Sequence, residues 1–176
     1  MDTLPINLPT TITLSRILLI PLFVLAENRP LIATSIFLVA ALTDLVDGYL
    51  ARRSKQITKL GILLDPVADK LLIISALIVL VDLARIPAWM AIVIIAREFL
   101  ITAMRVIALS QDIVIPAEMG GKAKTVTQIV AILLLLLSDY NPGIDIYGIG
   151  IVVLWIALVF TVASGIQYFI IFWRRL

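Results

Sequence analysis

The chain has 176 residues, of which 62% are hydrophobic and only 15% charged, and its mean hydropathy is +1.14. A soluble domain of this size does not need so much apolar surface, so the composition predicts a polytopic membrane protein. The absence of Cys and His excludes disulfides, thiolate or imidazole metal sites and histidine acid/base catalysis. The net charge of +2 could suggest a nucleic-acid partner, but the bases lie beside apolar spans, so we expect none.

The hydrophobic pattern predicts an all-α protein with six transmembrane helices. Asn7 and Pro9 are typical of the start of the first helix. The predicted spans lie at about 10–26, 31–53, 59–83, 88–110, 122–138 and 147–173. They are separated by turns at 27–30 and 84–87, a break at 111–121 containing Pro116, Gly120 and Gly121, and a loop at 139–143. No repeat or second domain is evident, so we expect residues 1–176 to form one membrane domain.

The distribution of Lys and Arg predicts the orientation. One set of loops carries Arg53, Lys55, Lys59, Lys122, Lys124, Arg174 and Arg175. The opposite set carries Arg29 and Arg85, each close to an acid in the sequence. The positive-inside rule therefore places both termini, and the loop between the second and third helices, in the cytoplasm.

Four aspartates flank the loop between the second and third predicted helices. Asp44 and Asp47 are three residues apart and Asp65 and Asp69 four apart, so each pair projects from one helix face. A charged side chain near the centre of a membrane helix costs roughly 2.5–3.5 kcal/mol, so these carboxylates need a physical reason. Asp47 and Asp65 are equally far from the loop centre at Gln56, and Asp44 and Asp69 lie about one turn deeper, so an antiparallel hairpin would bring all four to nearly the same depth.

Carboxylates that converge in a low dielectric need a cation. Oxygen ligands without His or Cys favour a hard ion such as Mg²⁺ or Mn²⁺, and four carboxylates are enough for two ions that share ligands. One alternative is that the aspartates only cap or solvate helix ends near the interface. Another is a divalent-cation carrier, although the inverted repeats and broken helices typical of transporters are not evident.

Further bases lie in the fourth predicted helix and at the start of the fifth. Arg97 and Arg105 are eight residues apart and share a helix face, and Lys122 and Lys124 begin the next helix from the same side. We expect these four bases to surround the phosphate of an anionic substrate near the acidic cluster. The alternatives are that Arg97 pairs with Glu98 or with another buried acid and only holds helices together, and that the lysines are interfacial positive-inside residues.

An eight-residue motif runs through the aspartate region. It consists of Asp44, Asp47, Gly48, Ala51, Arg52, Gly61, Asp65 and Asp69, spaced as D-x2-D-G-x2-A-R-x8-G-x3-D-x3-D. The motif matches, at every position and gap, the signature of the CDP-alcohol phosphatidyltransferases, and the chain resembles that family. The segments NLPTTITLSRILLIPLF, LDPVADKLL, AREFLITAMR and GKAKTVTQ resemble its bacterial branch that uses glycerol 3-phosphate as acceptor.

The resemblance implies a reaction and a cellular location. The phosphatidyl group of CDP-diacylglycerol is transferred to sn-glycerol 3-phosphate, giving phosphatidylglycerophosphate and CMP. The enzyme is expected to be a homodimer in the bacterial cytoplasmic membrane, in contact with membrane lipid and with its active site facing the cytoplasm. Inositol phosphate, serine or phosphatidylglycerol as acceptor are the alternatives with the same chemistry.

The resemblance also implies roles for the motif residues. Two Mg²⁺ or Mn²⁺ ions are expected, with Asp44 and Asp65 bridging them, Asp47 completing one site and Asp69 the other. Asp69 is also the expected general base. The expected nucleotide-binding residues are Asn7, Thr10, Gly48, Ala51, Arg52 and Thr58.

Overall fold

A computed structural model describes residues 8–54, 59–111, 119–140 and 143–174, leaving out the side chains of 8–14, 16, 44–54, 59–69, 109 and 119–122. Over these ranges the chain forms six α-helices and no strand. The helices are α1 Leu8–Leu25, α2 Pro30–Ser54, α3 Lys59–Asp82, α4 Ala88–Ser110, α5 Met119–Leu136 and α6 Ile146–Trp173. The all-α prediction is confirmed, and each predicted span agrees with a helix to within three residues at either end.

The start of α5 differs from the prediction. Gly120 and Gly121 are expected in a break, yet they follow Met119 in the first turn of the helix. The prediction is wrong here because glycine weakens mainly helix interiors, whereas the first four N–H groups of any helix lack an intrahelical acceptor. Pro116, the other residue of the predicted break, lies outside the described residues.

One helix in the described part of the chain is long and apolar enough to cross a membrane. It is α6, with 28 residues and a mean hydropathy of 2.5. Two shorter apolar segments are Pro30–Thr43 in α2 and Ala123–Leu136 in α5. The α4 helix carries three charged residues, Arg97, Glu98 and Arg105. Six membrane crossings and two cytoplasmic termini therefore stay predictions.

The chain divides into two compact units, Met1–Val79 and Leu80–Leu176, so one domain over the whole chain also stays a prediction. In the first unit α1 packs against α2. Phe23 and Phe37 are fully buried between these helices, with ring centroids 5.9 Å apart. Pro30 begins α2, where its missing N–H is harmless because the first helical N–H groups lack partners within the helix.

In the second unit α6 packs against both α4 and α5. Its buried residues recur every three or four positions, which places them on one helix face. They are Gly150, Leu154, Ala157, Leu158, Thr161, Ser164, Tyr168 and Phe172. A Cβ at Gly150 would lie 3.0 Å from Cγ of Leu135, closer than an ordinary contact, so Leu135 would have to shift to admit a side chain there.

Replacing Gly150 by Leu is therefore expected to destabilise the second unit. The added atoms would overlap Leu134 and Leu135, and overpacking of this kind costs about 1–3 kcal/mol. The measurement is the midpoint of thermal unfolding of the detergent-solubilised protein. Val152→Leu on the same helix is the control, because Val152 is 59% exposed and its replacement should change the midpoint little. Equal midpoints for the two variants would contradict the observed close approach.

Arg85 joins the α3–α4 turn to the end of α5. The residue is 8% exposed, and its Nη1 donates to the carbonyl oxygens of Leu135 at 2.6 Å and Leu136 at 2.9 Å. Its Nη2 pairs with the Asp139 carboxylate, and the Tyr147 hydroxyl donates to the Arg85 carbonyl at 3.2 Å. A cation at a helix C-terminus is favourable because the last carbonyl groups are partly negative and otherwise unpaired.

Candidate active site

The four aspartates lie on two successive helices of the first unit. Asp44 and Asp47 are in α2, and Asp65 and Asp69 are in α3. Asp47 and Asp65 are seven and six residues from the ends of their helices that face the connection 55–58, about 10 Å along the helix axis. Asp44 and Asp69 are each ten residues from the same ends, about 15 Å. The helix bounds therefore agree with the equal spacing on which the predicted cation site depends.

The structure does not describe the side chains of this site. This holds for the four aspartates and for Thr10, Gly48, Ala51 and Arg52, whose backbones are helical. Asn7 and Thr58 lie outside the described residues altogether. Among the side chains that the structure does describe, no group of three or more acids could hold a metal ion. The donor set still fits Mg²⁺ or Mn²⁺, because a chain without His or Cys offers hard oxygen ligands.

A second group of functional side chains lies between α4, α5 and α6. We call it the α4–α6 polar cluster, formed by Arg97, Glu98, Lys124, Thr161 and Ser164. One carboxylate oxygen of Glu98, Oε1, accepts hydrogen bonds from Lys124 Nζ and, at 3.2 Å, from Arg97 Nη1. Lys124 is 6% exposed and Thr161 is fully buried. The cluster is thus an ion-paired network held largely away from water.

Arg97 is bound mainly by α6. Its Nε donates to the Thr161 carbonyl at 3.0 Å and its Nη2 to the Ser164 hydroxyl at 2.7 Å. A Cβ at Gly165 would lie 3.2 Å from Arg97 Cγ, so the glycine leaves room for the arginine stem. The alternative stated from the sequence, that Arg97 pairs with Glu98 and holds helices together, describes these contacts.

The other three predicted phosphate-binding bases have different surroundings. Lys124 is buried against Glu98, whereas Arg105 is exposed, with its guanidinium carbon 6.0 Å from the ring centroid of Tyr168. Lys122 is in the first turn of α5, and its side chain is outside those described. Of the four bases, the structure therefore brings Arg97 and Lys124 together through Glu98.

Sequence reasoning missed the polar residues that complete the cluster. Thr161 and Ser164 lie three residues apart on the buried face of an otherwise apolar helix. Gln128 is 2% exposed, and its amide donates to the Thr161 hydroxyl at 3.3 Å. Buried polar groups of this kind need hydrogen-bond partners. The three-residue spacing of Thr161 and Ser164 within the last predicted span was the signal in the sequence that could have indicated this polar face.

Comparison with known proteins identifies the family. A family model described as CDP-alcohol phosphatidyltransferase matches residues 6–163. The chain belongs to this family. Its membership in the CDP-alcohol phosphatidyltransferases confirms the resemblance carried by the eight-residue motif. The matched region contains that motif and the four predicted phosphate-binding bases, and it ends just before Ser164 and Gly165.

Individual members of the family are similar over almost the whole chain. A CDP-diacylglycerol–glycerol-3-phosphate 3-phosphatidyltransferase of Bacillus subtilis is 41% identical over 97% of both chains. One of Haemophilus influenzae is also 41% identical, over 92% of this chain and 91% of its own. A probable phosphatidylglycerophosphate synthase of Mycobacterium tuberculosis is 38% identical over 92% of this chain and 79% of its own. The names of these relatives agree with the predicted transfer reaction.

Proposed function

We propose that this chain transfers the phosphatidyl group of CDP-diacylglycerol to sn-glycerol 3-phosphate, giving phosphatidylglycerophosphate and CMP. The observation that carries the proposal is the 41% identity to the Bacillus subtilis transferase over 97% of both chains. The eight motif residues support it, because they provide four carboxylates on two consecutive helices for a diphosphate substrate. The chain is thus a phosphotransferase that acts on a lipid-linked nucleotide.

The carboxylates are the proposed ligands of two divalent cations. Asp44 and Asp65 would be the ligands common to both ions, while Asp47 would complete one ion site and Asp69 the other. When bound, Mg²⁺ or Mn²⁺ neutralises charge on the diphosphate and on the departing CMP. The absence of competing Cys and His ligands in the chain supports a hard ion at this place.

Asp69 is the proposed general base. Its carboxylate accepts the proton of a glycerol hydroxyl, and the hydroxyl oxygen attacks the phosphorus that carries the diacylglycerol group. A new phosphorus–oxygen bond forms, the bond from that phosphorus to CMP breaks, and CMP leaves with the bridging oxygen. Asp69 later gives its proton to water.

Two further sets of residues orient the substrates. The proposed nucleotide-binding residues are Asn7, Thr10, Gly48, Ala51, Arg52 and Thr58. The proposed acceptor-phosphate residues are Arg97, Arg105, Lys122 and Lys124. Gly48 and Gly61 lack side chains beside the aspartates, which leaves space for a ligand to approach the helix backbone.

A membrane location suits a lipid substrate. We place all six helices across the bacterial cytoplasmic membrane, with both termini and the active site on the cytoplasmic side. The exposed apolar side of α6 supports this placement, since Val152 and Val159 are 59% and 62% exposed. The enzyme is proposed to act as a homodimer, as the family resemblance implies.

An acceptor profile tests the proposed function. Purified full-length protein is supplied with CDP-diacylglycerol, Mg²⁺ and radiolabelled glycerol 3-phosphate, inositol phosphate, serine or phosphatidylglycerol in separate reactions. We expect labelled lipid and CMP release with glycerol 3-phosphate. Product from inositol phosphate but not from glycerol 3-phosphate would overturn the proposed acceptor. Metal flux in proteoliposomes without CMP release would instead indicate a cation carrier.

A further inference from the structure

The α4–α6 polar cluster holds two cations with one carboxylate. The side chains of Arg97, Glu98 and Lys124 are 15%, 16% and 7% exposed. A cation held away from water is costly unless a carboxylate compensates it, so Glu98 and Lys124 depend on each other. Among the described side chains, this carboxylate joins Lys124 on α5 to Arg97 on α4.

The contacts of Arg97 explain how the Glu98 carboxylate is held. Thr161 and Ser164 bind two of the guanidinium nitrogens, and Gly165 lets the arginine stem lie against α6. The third nitrogen, Nη1, donates to Glu98 at 3.2 Å. Arg97 therefore fixes the carboxylate from the α6 side, and the carboxylate in turn holds Lys124 on α5.

We propose that Glu98 is a positioning residue, which sets the Lys124 ammonium for the phosphate of the acceptor; this inference rests on the proposed function. The contacts run from α6 through Arg97 and Glu98 to Lys124. Within the proposed acceptor-phosphate set, Arg97 acts by anchoring the Glu98 carboxylate, whereas Lys124, Lys122 and the exposed Arg105 contact the phosphate. Glu98 acts on the acceptor alone and not on the lipid-linked nucleotide.

A double-mutant cycle tests this role in the purified full-length protein in lipid nanodiscs. The variants are Glu98→Gln, Lys124→Met and their combination, with Glu98→Asp as the conservative variant. The readouts are the Kd for inorganic phosphate, the KM for each substrate and the midpoint of thermal unfolding. We expect Glu98→Gln to raise the phosphate Kd and the acceptor KM about tenfold, with the CDP-diacylglycerol KM unchanged.

The combination with Lys124→Met is the decisive comparison. Glu98→Gln should change the phosphate Kd no further in that background, because it acts through Lys124. Glu98→Asp should recover part of the loss, and it replaces Glu98→Gln in the cycle if the latter fails to fold. Three outcomes would each overturn the inference. Glu98→Gln could lower the unfolding midpoint without changing the phosphate Kd, or its effect on the Kd could add to that of Lys124→Met. The wild-type protein could also fail to bind phosphate.

The two proposals fail in distinguishable ways. The wild-type protein could fail to turn over glycerol 3-phosphate while Glu98→Gln and Lys124→Met still show coupled losses of phosphate binding. That result would reject the proposed acceptor and support the role of Glu98. Normal turnover of glycerol 3-phosphate by the wild-type protein with no coupling in the cycle would support the acceptor and reject the role of Glu98.

Discussion

Replacing Asp69 by Asn is expected to lower the rate of CMP release by about 10²–10⁴-fold. The amide is similar in size to the carboxylate but cannot accept the proton of the attacking hydroxyl. It is also a poorer ligand for a divalent cation, so the loss should fall at the upper end of this range. The measurement is the rate of CMP formation from CDP-diacylglycerol at saturating glycerol 3-phosphate.

The control for Asp69 is another carboxylate on the same helix. Asp82 is the exposed last residue of α3, and Asp82→Asn should leave CMP release near the wild-type rate. Circular dichroism should give the same helix content for both variants, which separates chemistry from folding. Turnover of Asp69→Asn within a few-fold of wild type would remove Asp69 as the general base.

Replacing Arg85 by Leu is expected to lower the free energy of unfolding by about 3 kcal/mol. Hydrogen bonds from a charged donor contribute about 1.5–3 kcal/mol each, and the substitution removes one from each of the carbonyls of Leu135 and Leu136. The Leu135 carbonyl then keeps only the long 3.4 Å hydrogen bond from the Ser138 N–H. Both of these residues are almost fully buried, so water cannot readily replace the guanidinium. The measurement is thermal unfolding of the purified protein in detergent, followed by loss of helix content.

Two variants separate the contributions to the Arg85 contacts. Asp139→Asn should cost less than about 1 kcal/mol, because the Asp139 side chain is 70% exposed and its ion pair is screened by solvent. Arg85→Lys should fall between wild type and Arg85→Leu, because one ammonium lacks the planar fork that serves both carbonyls and Asp139. A larger loss for Asp139→Asn than for Arg85→Leu would show that the ion pair dominates.

The helix bounds could be predicted because their signals are local. The first residue of α4 follows Pro87, and α2 begins at Pro30, so each start has a residue that limits the preceding conformation. The spacing of the four aspartates likewise follows from helix geometry once the helices are assigned. The start of α5 was the weakest prediction, since glycine has a different effect at a helix end and in its interior.

The contacts of the polar cluster could not be predicted in the same way. Glu98 pairs with Lys124, which is 26 residues away, and Arg97 with Ser164, which is 67 residues away. Such pairs depend on which faces of α4, α5 and α6 meet, and nearly all of α6 is apolar on every face. The charge of Glu98 was visible in the sequence, but its pairing with Lys124 in addition to the neighbouring Arg97 is a property of packing.

The reach of Arg85 has a consequence for biosynthesis. Its carbonyl acceptor on Leu135 is 50 residues further along the chain. A ribosome adding roughly 5–20 residues per second needs about 3–10 s to supply that acceptor after Arg85 has been made. The nascent α3–α4 turn therefore lacks its backbone partners until the end of the fifth helix has been made, so this contact forms late in synthesis.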